Sequence, residues 1–176
     1  SIRAVGSDIA MRAVQNARTQ SAGSEFLVFD ASRLPLKSNS VDACFSFDVI
    51  EHLPDVKSHF QEVFRVLKPG AMYYLQTPNW LTNPLAEILK HGRKGLRWRE
   101  YHLSLQSSRS LRAVSLDTGF SNVCFYKLSP VTPHKLNRLP RVLRVLFVSI
   151  PWKRLPRFCQ TNLWLAVRKP ESECFS

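Results

Sequence analysis

Three short apolar segments, each ending at an aspartate, constrain the fold of this chain more than any other feature. The segments are residues 3–7, 25–29 and 41–47, and the aspartates that follow them are Asp8, Asp30 and Asp48. Segments of this length and composition are typical of strands in a sheet. Residues 9–20, between the first two, place alanine and valine at helical spacing. This alternation predicts right-handed βαβ crossovers, and therefore an α/β fold with a mostly parallel sheet covered on both faces.

Residues 55–67 form the clearest amphipathic helix of the sequence. Its apolar side chains recur at helical spacing and are Val56, Phe60, Val63, Phe64 and Leu67. Asp55 is suited to cap its N-terminus, and Lys68-Pro69-Gly70 provides a cationic last turn and a stop. Further predicted elements are strands at residues 71–76, 122–128 and 161–168 and a helix at residues 107–118. We interpret the basic stretches 80–103 and 129–160 as insertions into a single domain of residues 1–176.

The cysteines and the hydropathy pattern indicate the compartment. The four cysteines are Cys44, Cys124, Cys159 and Cys174. Because they form no C-x-x-C pair and no dense cluster, we interpret them as free thiols in a reducing compartment. No run approaches the roughly 18 apolar residues that a transmembrane helix needs, and the N-terminus has no signal-peptide pattern. We expect a cytoplasmic location.

Positive charge is concentrated in the second half of the chain. The formal net charge is +12, and residues 90–169 hold 17 of the 25 Lys and Arg residues but only 2 of the 13 acidic residues. This asymmetry favours an anionic partner, although a solvated basic surface explains it as well. We interpret residues 138–157 either as a peripheral contact with an anionic membrane or as a substrate cap. The apolar side chains that such a cap would bury are Val142, Leu143, Leu146 and Phe147.

The three strand-end aspartates would lie along one edge of the sheet. In an open parallel sheet, ligands bind in the crevice outside the carboxyl ends of the strands. A carboxylate there is suited to accept hydrogen bonds from ribose hydroxyls or from an adenine amino group. Aspartate also caps helix N-termini, so capping is an equally good interpretation of any one of them. Each aspartate alone is therefore a weak indication of a nucleotide-type ligand.

The longer pattern around these aspartates resembles the class I S-adenosylmethionine-dependent methyltransferases, in particular the type 11 and type 23 subfamilies. The residues that carry the resemblance are Val5-Gly6-Ser7-Asp8, Phe29-Asp30-Ala31, Leu34-Pro35-Leu36, Val41-Asp42-Ala43, Asp48-Val49-Ile50-Glu51-His52-Leu53-Pro54-Asp55, Arg65-Val66-Leu67-Lys68-Pro69-Gly70, Thr77-Pro78-Asn79 and Asp117-Thr118-Gly119-Phe120. Their order and spacing match the family across residues 3–128. The resemblance implies a Rossmann-like three-layer sandwich with family strand order 3-2-1-4-5-7-6. Residues 161–168 would be its antiparallel seventh strand.

The resemblance also implies a cofactor, S-adenosylmethionine, and a set of residues that bind it. The implied cofactor-binding residues are Asp8, Ile9, Asp30, Ala31, Phe47 and Asp48. Asp8 would bind the ribose, and Ile9 would pack on the adenine ring. Asp30 and Ala31 would contact the adenine edge, and Phe47 and Asp48 would border the methionine part. Methyl transfer from a sulfonium is an in-line displacement, so the protein is expected to contribute mainly proximity and orientation.

Three residues are candidates for the chemistry: Glu51, His52 and His102. A base is needed where the acceptor carries a proton of high pKa, and related enzymes bring a substrate-facing histidine to the position of His102. A structural or surface role is the alternative for each histidine. Together with Asp48 these residues resemble the Glu-x-x-Glu-His run that holds a divalent metal in some relatives. Because the first ligand here is one methylene shorter, we expect no metal.

The family's first strand and its glycine-rich loop are absent, since only seven residues precede Asp8. We expect an N-terminally incomplete domain with two open strand edges and weakened cofactor binding. The leading prediction is methyl transfer to a small-molecule, lipid or glycan acceptor, with the two basic insertions on the substrate side. The alternatives are a non-catalytic remnant, an RNA-modifying methyltransferase and a dehydrogenase. A nucleic-acid partner is disfavoured because the sequence has no recognised RNA-binding module or RNA-reading aromatic signature.

Overall fold

Strands and helices alternate along the chain, as the sequence predicts. The computed structural model describes residues 3–21, 23–91, 97, 99–100, 102–128, 144–145 and 148–171. Its strands are β1 (Val5–Asp8), β2 (Glu25–Val28), β3 (Val41–Phe47), β4 (Leu67–Pro78), β5 (Ser121–Tyr126) and β6 (Asn162–Arg168). Its helices are α1 (Met11–Gln20), α2 (Val56–Val66), α3 (Asn83–His91) and α4 (Ser108–Asp117). Single 3₁₀ turns lie at Ile50–His52 and Arg157–Cys159.

The described strands form two hydrogen-bonded groups rather than one continuous sheet. β1 pairs in parallel with β2, and β3 pairs in parallel with β4 at one side of a four-stranded sheet of order β3-β4-β6-β5. β6 runs antiparallel to both of its neighbours. Placed side by side, the two groups reproduce the expected family order with its central strand left out. The α/β class and the antiparallel last strand are confirmed.

Helices α2 and α4 bury one face of the four-stranded sheet. Alternate residues of the strands point to these helices and pack with Phe60, Val63 and Leu111; the strand residues are Tyr73, Leu75, Leu163, Leu165 and Val167. The Phe60 ring lies edge-on to the Tyr73 ring, with centroids 5.6 Å apart. Edge-to-face packing of this kind stabilises an aromatic pair beyond its buried area. On the opposite face of the same sheet Phe45, Phe47 and Tyr126 are more than half exposed, so no described helix covers that part of the sheet.

The ends of α2 and α4 follow their sequence signals. The Asp55 carboxylate accepts a hydrogen bond from the Ser58 backbone N–H at 3.1 Å and so caps α2. Ser107 and Ser110 exchange reciprocal hydrogen bonds at the start of α4. Gly119 follows this helix with φ +101°, and a Cβ there would lie 3.3 Å from the Phe64 ring. A positive φ and a close ring together explain why glycine ends this helix.

Two element boundaries differ from the prediction. Lys68-Pro69-Gly70 lies in β4 and not in the last turn of α2, because the chain enters the sheet directly at Leu67. The Gly70 N–H donates to the Lys169 carbonyl oxygen at 3.0 Å, which holds this segment against the end of β6. The predicted irregular stretch 80–103 contains α3. Leu85 and Ile88 lie three residues apart, at helical spacing, and basic residues dominate the sequence that follows them.

The other sequence interpretations concern the thiols, membrane spans and residues 129–160. Cys44, Cys124 and Cys159 are free thiols, as predicted, and burial raises the pKa of Cys44 to about 11. No helix in the described parts of the chain has the length and hydropathy needed to cross a bilayer. Outside the described residues lie Cys174, Arg138, Arg141 and the apolar side chains of the predicted cap, Val142, Leu143, Leu146 and Phe147.

Candidate functional site

The carboxyl ends of β3 and β4 form one side of the candidate site. Asp48 follows β3 in the left-handed region, with φ 51°, a conformation that aspartate tolerates better than most residues. Its N–H donates to the Gln76 carbonyl oxygen at 3.1 Å, and its Oδ1 accepts from Gln76 Nε2 at 2.8 Å. Asp48 is therefore fixed to β4 by both its backbone and its side chain.

Glu51 lies inside the turn that follows Asp48. Its side chain is 1% exposed, and its Oε2 accepts a hydrogen bond from Thr77 Oγ1 at 2.9 Å. Burial raises the pKa of Glu51, and the nearby charge of Asp48 adds to the increase. Its backbone carbonyl oxygen accepts from the Ser104 N–H at 2.9 Å. Glu51 thus connects the turn to β4 and to the segment that carries His102, a role that can orient the site without contact with substrate.

The two predicted histidines come together above this turn. The ring centroids of His52 and His102 are 5.4 Å apart, and His52 Nε2 lies 4.0 Å from Glu51 Oε1. Asn83 Nδ2 lies 2.9 Å from His102 Nδ1. With the amide in this orientation Asn83 donates, and the proton of a neutral His102 ring is on Nε2. Rotation of the amide by half a turn would make Asn83 the acceptor and Nε2 a base.

A surface pocket lies beside His102. It has a volume of about 450 Å³ and is lined by Trp80, Arg99, His102, Leu103 and Leu105. The indole and the two leucines provide apolar surface, while the guanidinium and the imidazole provide hydrogen-bond donors. Pockets that combine apolar walls with a few polar groups are typical of small-molecule sites.

The predicted nucleotide-binding residues lie at the ends of β1 and β2. Asp8 Oδ1 accepts from the Ala10 N–H at 2.8 Å near the start of α1, and Ile9 is 72% exposed. Asp30 Oδ1 accepts from both the N–H and the hydroxyl of Ser32, and these hydrogen bonds lower the pKa of Asp30. Both carboxylates are exposed at the carboxyl ends of adjacent parallel strands. Carboxylate acceptors at these positions are suited to ribose hydroxyls and an adenine amino group, and their role in binding stays a prediction.

A buried histidine that sequence reasoning missed supports the adenine-side loop. His59 of α2 is buried, with Nδ1 2.8 Å from the Ala31 carbonyl oxygen and Nε2 2.9 Å from the Tyr73 hydroxyl. Because Nδ1 must donate to the carbonyl, a neutral ring accepts from Tyr73 at Nε2. Burial lowers the pKa of His59. The available signal was its place in sequence: His59 lies three residues after Val56 and four before Val63, on the apolar side of α2.

Two asparagines were also missed as site residues. Asn79 is buried, and its side-chain amide donates to the Gln160 carbonyl oxygen at 2.9 Å. Asn83 is buried and contacts His102, as described above. Asn79 belongs to the Thr77-Pro78-Asn79 motif, and this place in the family pattern was the signal that could have identified it as a site residue.

The predicted catalytic residues lie close together, whereas Phe47, predicted to border the methionine part of the cofactor, is exposed. Glu51, His52 and His102 lie near one another, while Phe47 is 54% exposed on the outer face of β3. No group of three or more His, Cys, Asp or Glu side chains with metal-binding geometry occurs in the described part of the chain. The roles of the predicted cofactor-binding and catalytic residues stay predictions.

Comparisons with known proteins agree with this fold. Residues 2–75 match the family model described as a methyltransferase domain. The chain is 36% identical over 80 residues to a probable S-adenosylmethionine-dependent methyltransferase of Mycolicibacterium smegmatis, covering 46% of this chain and 31% of that protein. It is 37% identical over 164 residues to an uncharacterized methyltransferase of Mycobacteroides abscessus, covering 83% of this chain and 61% of that protein.

Solved methyltransferases share the fold. A putative methyltransferase of Haloferax volcanii, solved in complex with the Trm112 activator, superposes with a TM-score of 0.70 at 22% identity, over 96% of this chain and 73% of that chain. Phosphoethanolamine N-methyltransferase 2 of Haemonchus contortus superposes with a TM-score of 0.64 at 22% identity, over 95% of this chain and 44% of that chain. The chain spans between 22% and 31% of the first three curated relatives it matches. In sequence over residues 2–75 and in fold over nearly its whole length, the chain is similar to S-adenosylmethionine-dependent methyltransferases.

Proposed function

We propose that this protein methylates a hydroxyl group of a small-molecule, lipid or glycan acceptor that binds at the carboxyl ends of β3 and β4. The observation that carries the proposal is the pairing of His52 and His102 next to the pocket lined by Trp80 and Arg99. An imidazole is the side chain best suited to accept a hydroxyl proton near neutral pH.

The strand ends provide the cofactor side of this proposal. S-adenosylmethionine, the cofactor of the family, supplies an electrophilic methyl group on a sulfonium. Asp8 would hold the ribose hydroxyls, and Ile9 would cover the adenine ring. Asp30 and Ala31 would meet the adenine edge. The exposed carboxylates of Asp8 and Asp30 and the exposed Ile9 support these roles, because a bound nucleoside needs both hydrogen-bond acceptors and an apolar contact.

Phe47 and Asp48 would border the methionine part of the cofactor. Asp48 is fixed by Gln76, so its carboxylate is held in position before any ligand arrives. A carboxylate placed in advance costs no further ordering when a cationic amino group binds. This makes Asp48 the residue that would connect the cofactor side with the acceptor side.

The acceptor side is proposed to act by orientation and by removal of one proton. Trp80, Leu103 and Leu105 would hold an apolar part of the acceptor, and Arg99 would favour an anionic or strongly polar group on it. His102 would accept the hydroxyl proton in the state in which the Asn83 amide accepts from Nδ1. The buried Glu51 would hold the turn that carries His52, and it would act as a positioning residue.

The relatives do not select one acceptor. By their printed names they include a sterol 24-C-methyltransferase of Gibberella zeae and a malonyl-[acyl-carrier protein] O-methyltransferase of Yersinia pestis. Acceptors with carbon and oxygen nucleophiles therefore occur among proteins similar to this chain. The hydroxyl acceptor is inferred from the two histidines alone, and a non-catalytic remnant is the competing function.

Calorimetry and a methyl-transfer assay test the proposal. S-adenosylmethionine is titrated into this chain, and into the same chain preceded by a strand and glycine-rich loop taken from a methyltransferase of this family. Binding by the extended protein, with label transfer to hydroxyl compounds that His102→Gln abolishes, supports the proposal. Binding by neither protein identifies a non-catalytic remnant. Label transfer that His102→Gln leaves unchanged contradicts the role of the histidine.

A further inference from the structure

One peptide unit in the loop after β2 joins a buried imidazole to an exposed carboxylate. Its carbonyl oxygen belongs to Ala31 and lies 2.8 Å from Nδ1 of His59 on α2. Its N–H belongs to Ser32 and donates to Asp30 Oδ1 at 2.8 Å. Because the C=O and N–H of a trans peptide lie in one plane and point in opposite directions, a contact that fixes the first also fixes the second. His59 and Asp30 are therefore linked through a single rigid unit.

The imidazole at the buried end of this link is itself held in place. His59 is 4% exposed, and its Nε2 lies 2.9 Å from the hydroxyl of the buried Tyr73. The rings of Phe60 and Tyr73 pack edge-on to it, at centroid distances of 6.2 and 5.9 Å. Burial lowers the pKa of His59, so the ring is neutral near pH 7 and carries its proton on Nδ1, towards the carbonyl oxygen. A fixed donor thus faces the loop.

The rest of the loop is held from the same side of α2. Glu62 Oε2 accepts from the Leu34 N–H at 2.8 Å, and Arg65 donates to the Leu34 carbonyl oxygen at 2.9 Å. His59, Glu62 and Arg65 follow one another at three-residue spacing, which places them on one side of the helix. Of these three side chains, His59 is the one that is hydrogen-bonded next to Asp30. The carboxylate end of the loop therefore depends on His59 for its connection to α2.

A local turn is the alternative explanation for the orientation of the Asp30 carboxylate. Its Oδ1 also accepts from the Ser32 hydroxyl at 2.7 Å, and the Asp30 carbonyl oxygen accepts from the Arg33 N–H at 3.0 Å. An aspartate in such a turn can orient its side chain through these neighbours alone. The two explanations differ in one respect, because only the first requires the buried hydrogen bond of His59.

We infer that His59 is a positioning residue for Asp30, and that it holds the carboxylate through the Ala31–Ser32 peptide in the orientation that receives the adenine edge of the cofactor. The consequence for cofactor binding rests on the proposed function, in which Asp30 meets the adenine. The positioning itself does not. A carboxylate that is oriented before the ligand arrives needs less ordering on binding, so the effect of His59 is expected on cofactor affinity.

Three variants separate the two hydrogen bonds of the imidazole. His59→Leu removes both. His59→Asn keeps an amide N–H close to the place of Nδ1, and therefore a donor to Ala31, but it is too short to reach Tyr73. Tyr73→Phe removes the hydroxyl and leaves the imidazole. All three variants lose a buried hydrogen bond and should melt at a lower temperature. A merely structural role of His59 therefore predicts similar behaviour of all three.

The first measurement is a titration of the Asp30 carboxyl by NMR, and it needs no ligand. The hydrogen bonds from Ser32 lower the pKa of Asp30, so release of the Ser32 N–H should raise it. His59→Leu should shift the midpoint upward, while His59→Asn and Tyr73→Phe should leave it low. An unchanged midpoint in His59→Leu overturns the inference, because the local turn then orients the carboxylate alone. An equal shift in His59→Asn assigns the change to the lost imidazole charge and overturns it as well.

The second measurement uses the unmodified protein, so it does not depend on the folding of any variant. The chemical shifts of the two ring nitrogens distinguish the neutral tautomers of a histidine. The inference requires the proton of His59 on Nδ1, where it is donated to Ala31. A proton on Nε2 overturns the inference.

Cofactor binding is then measured on the extended protein described under the proposed function. S-adenosylmethionine should bind up to about tenfold more weakly to His59→Leu, the scale of one hydrogen bond, while His59→Asn and Tyr73→Phe keep most of the affinity. A shifted Asp30 midpoint with unchanged affinity supports the positioning role of His59 and contradicts the proposed contact of Asp30 with adenine. If the extended protein binds no cofactor, the proposed function fails, while the titration of Asp30 still decides the inference.

Discussion

The two faces of the four-stranded sheet are built from alternate residues of the same strands, yet they have opposite surroundings. Tyr73 and Leu75 of β4 are buried under α2, while Tyr74 between them lies on the opposite face. We call the aromatic side chains of that face, Phe45, Phe47, Tyr74, Tyr126 and Trp164, the aromatic face. Along β3, Ser46 is buried and its neighbours Phe45 and Phe47 are exposed. Both faces are apolar enough to form a core. An apolar composition makes a sheet face suitable for burial, but the face is buried only where a helix or another element packs on it.

The covered face should account for most of the stability of this domain. Fully burying a large apolar side chain contributes roughly 1.5–3 kcal/mol, and the exposed rings forgo most of that contribution. Two neighbouring surfaces of similar chemistry should therefore respond very differently to mutation. The following predictions test that contrast.

The largest effect is expected from Phe60→Ala. Phe60 is fully buried and contacts the rings of Tyr73 and Phe120, so its truncation should cost about 3–5 kcal/mol of unfolding free energy. Phe45→Ala on the aromatic face should cost less than about 1 kcal/mol, because its ring is already largely in water. Urea unfolding of both variants measures the difference. Equal losses would show that the aromatic face is buried in solution.

The next effect concerns the cofactor crevice at the end of β1. Asp8→Ala should weaken S-adenosylmethionine binding by about 1.5–3 kcal/mol, the usual range for a hydrogen bond to a charged group. The measurement is calorimetry on the extended protein described under the proposed function. Asp42→Ala is a matched control, since Asp42 is an exposed carboxylate that pairs with Lys68 at the amino end of β3, away from the carboxyl ends of the strands. Unchanged affinity in Asp8→Ala would contradict its role.

The covered face should also make stability depend on pH through His59. Burial lowers the folded-state pKa of His59, so the unfolded chain binds the proton more readily, and stability should fall as the pH drops below about 6.5. Asp30 does not titrate in this window, because the Ser32 hydrogen bonds lower its pKa.

The contribution of His59 between pH 7 and pH 5.5 is at most about 1.3 kcal/mol, the limit for an imidazole that is protonated only in the unfolded chain. His59→Gln should flatten the dependence, and His52→Gln is the control for the same substitution at a half-exposed position. Urea unfolding at several pH values measures both. A pH slope retained in full by His59→Gln would show that other groups cause it.

The smallest expected effect concerns membrane binding by the basic residues 138–157. If residues 138–157 contact an anionic membrane, each Arg or Lys should contribute roughly 1 kcal/mol at most, and binding should weaken as salt is raised. Arg144→Gln with Arg154→Gln should then reduce co-sedimentation with anionic vesicles. Phe45→Ser is the control. Equal binding to neutral vesicles that Phe45→Ser removes would assign the contact to the aromatic face instead.

Local sequence was sufficient for elements whose signals lie within a few residues. The cap of α2 at Asp55, the capping box at Ser107 and the extent of β3 all follow from short patterns, because hydrogen bonds between near neighbours define them. The grouping of Glu51, His52 and His102 was predicted as well, although through the family resemblance. Asn83 and His59 were not predicted as site residues, since their partners lie 19 and 28 residues away in the chain.

The sequence by itself determined the order of the strands, the acidic ends of β1 to β3 and the alternation that gives the sheet two apolar faces. These properties depend on residue type and on a period of two, and both are visible in a linear chain. Only the tertiary structure decided which face is covered and that His59 supports the Ala31 loop. Burial and strand pairing depend on contacts between distant segments, so no local pattern specifies them.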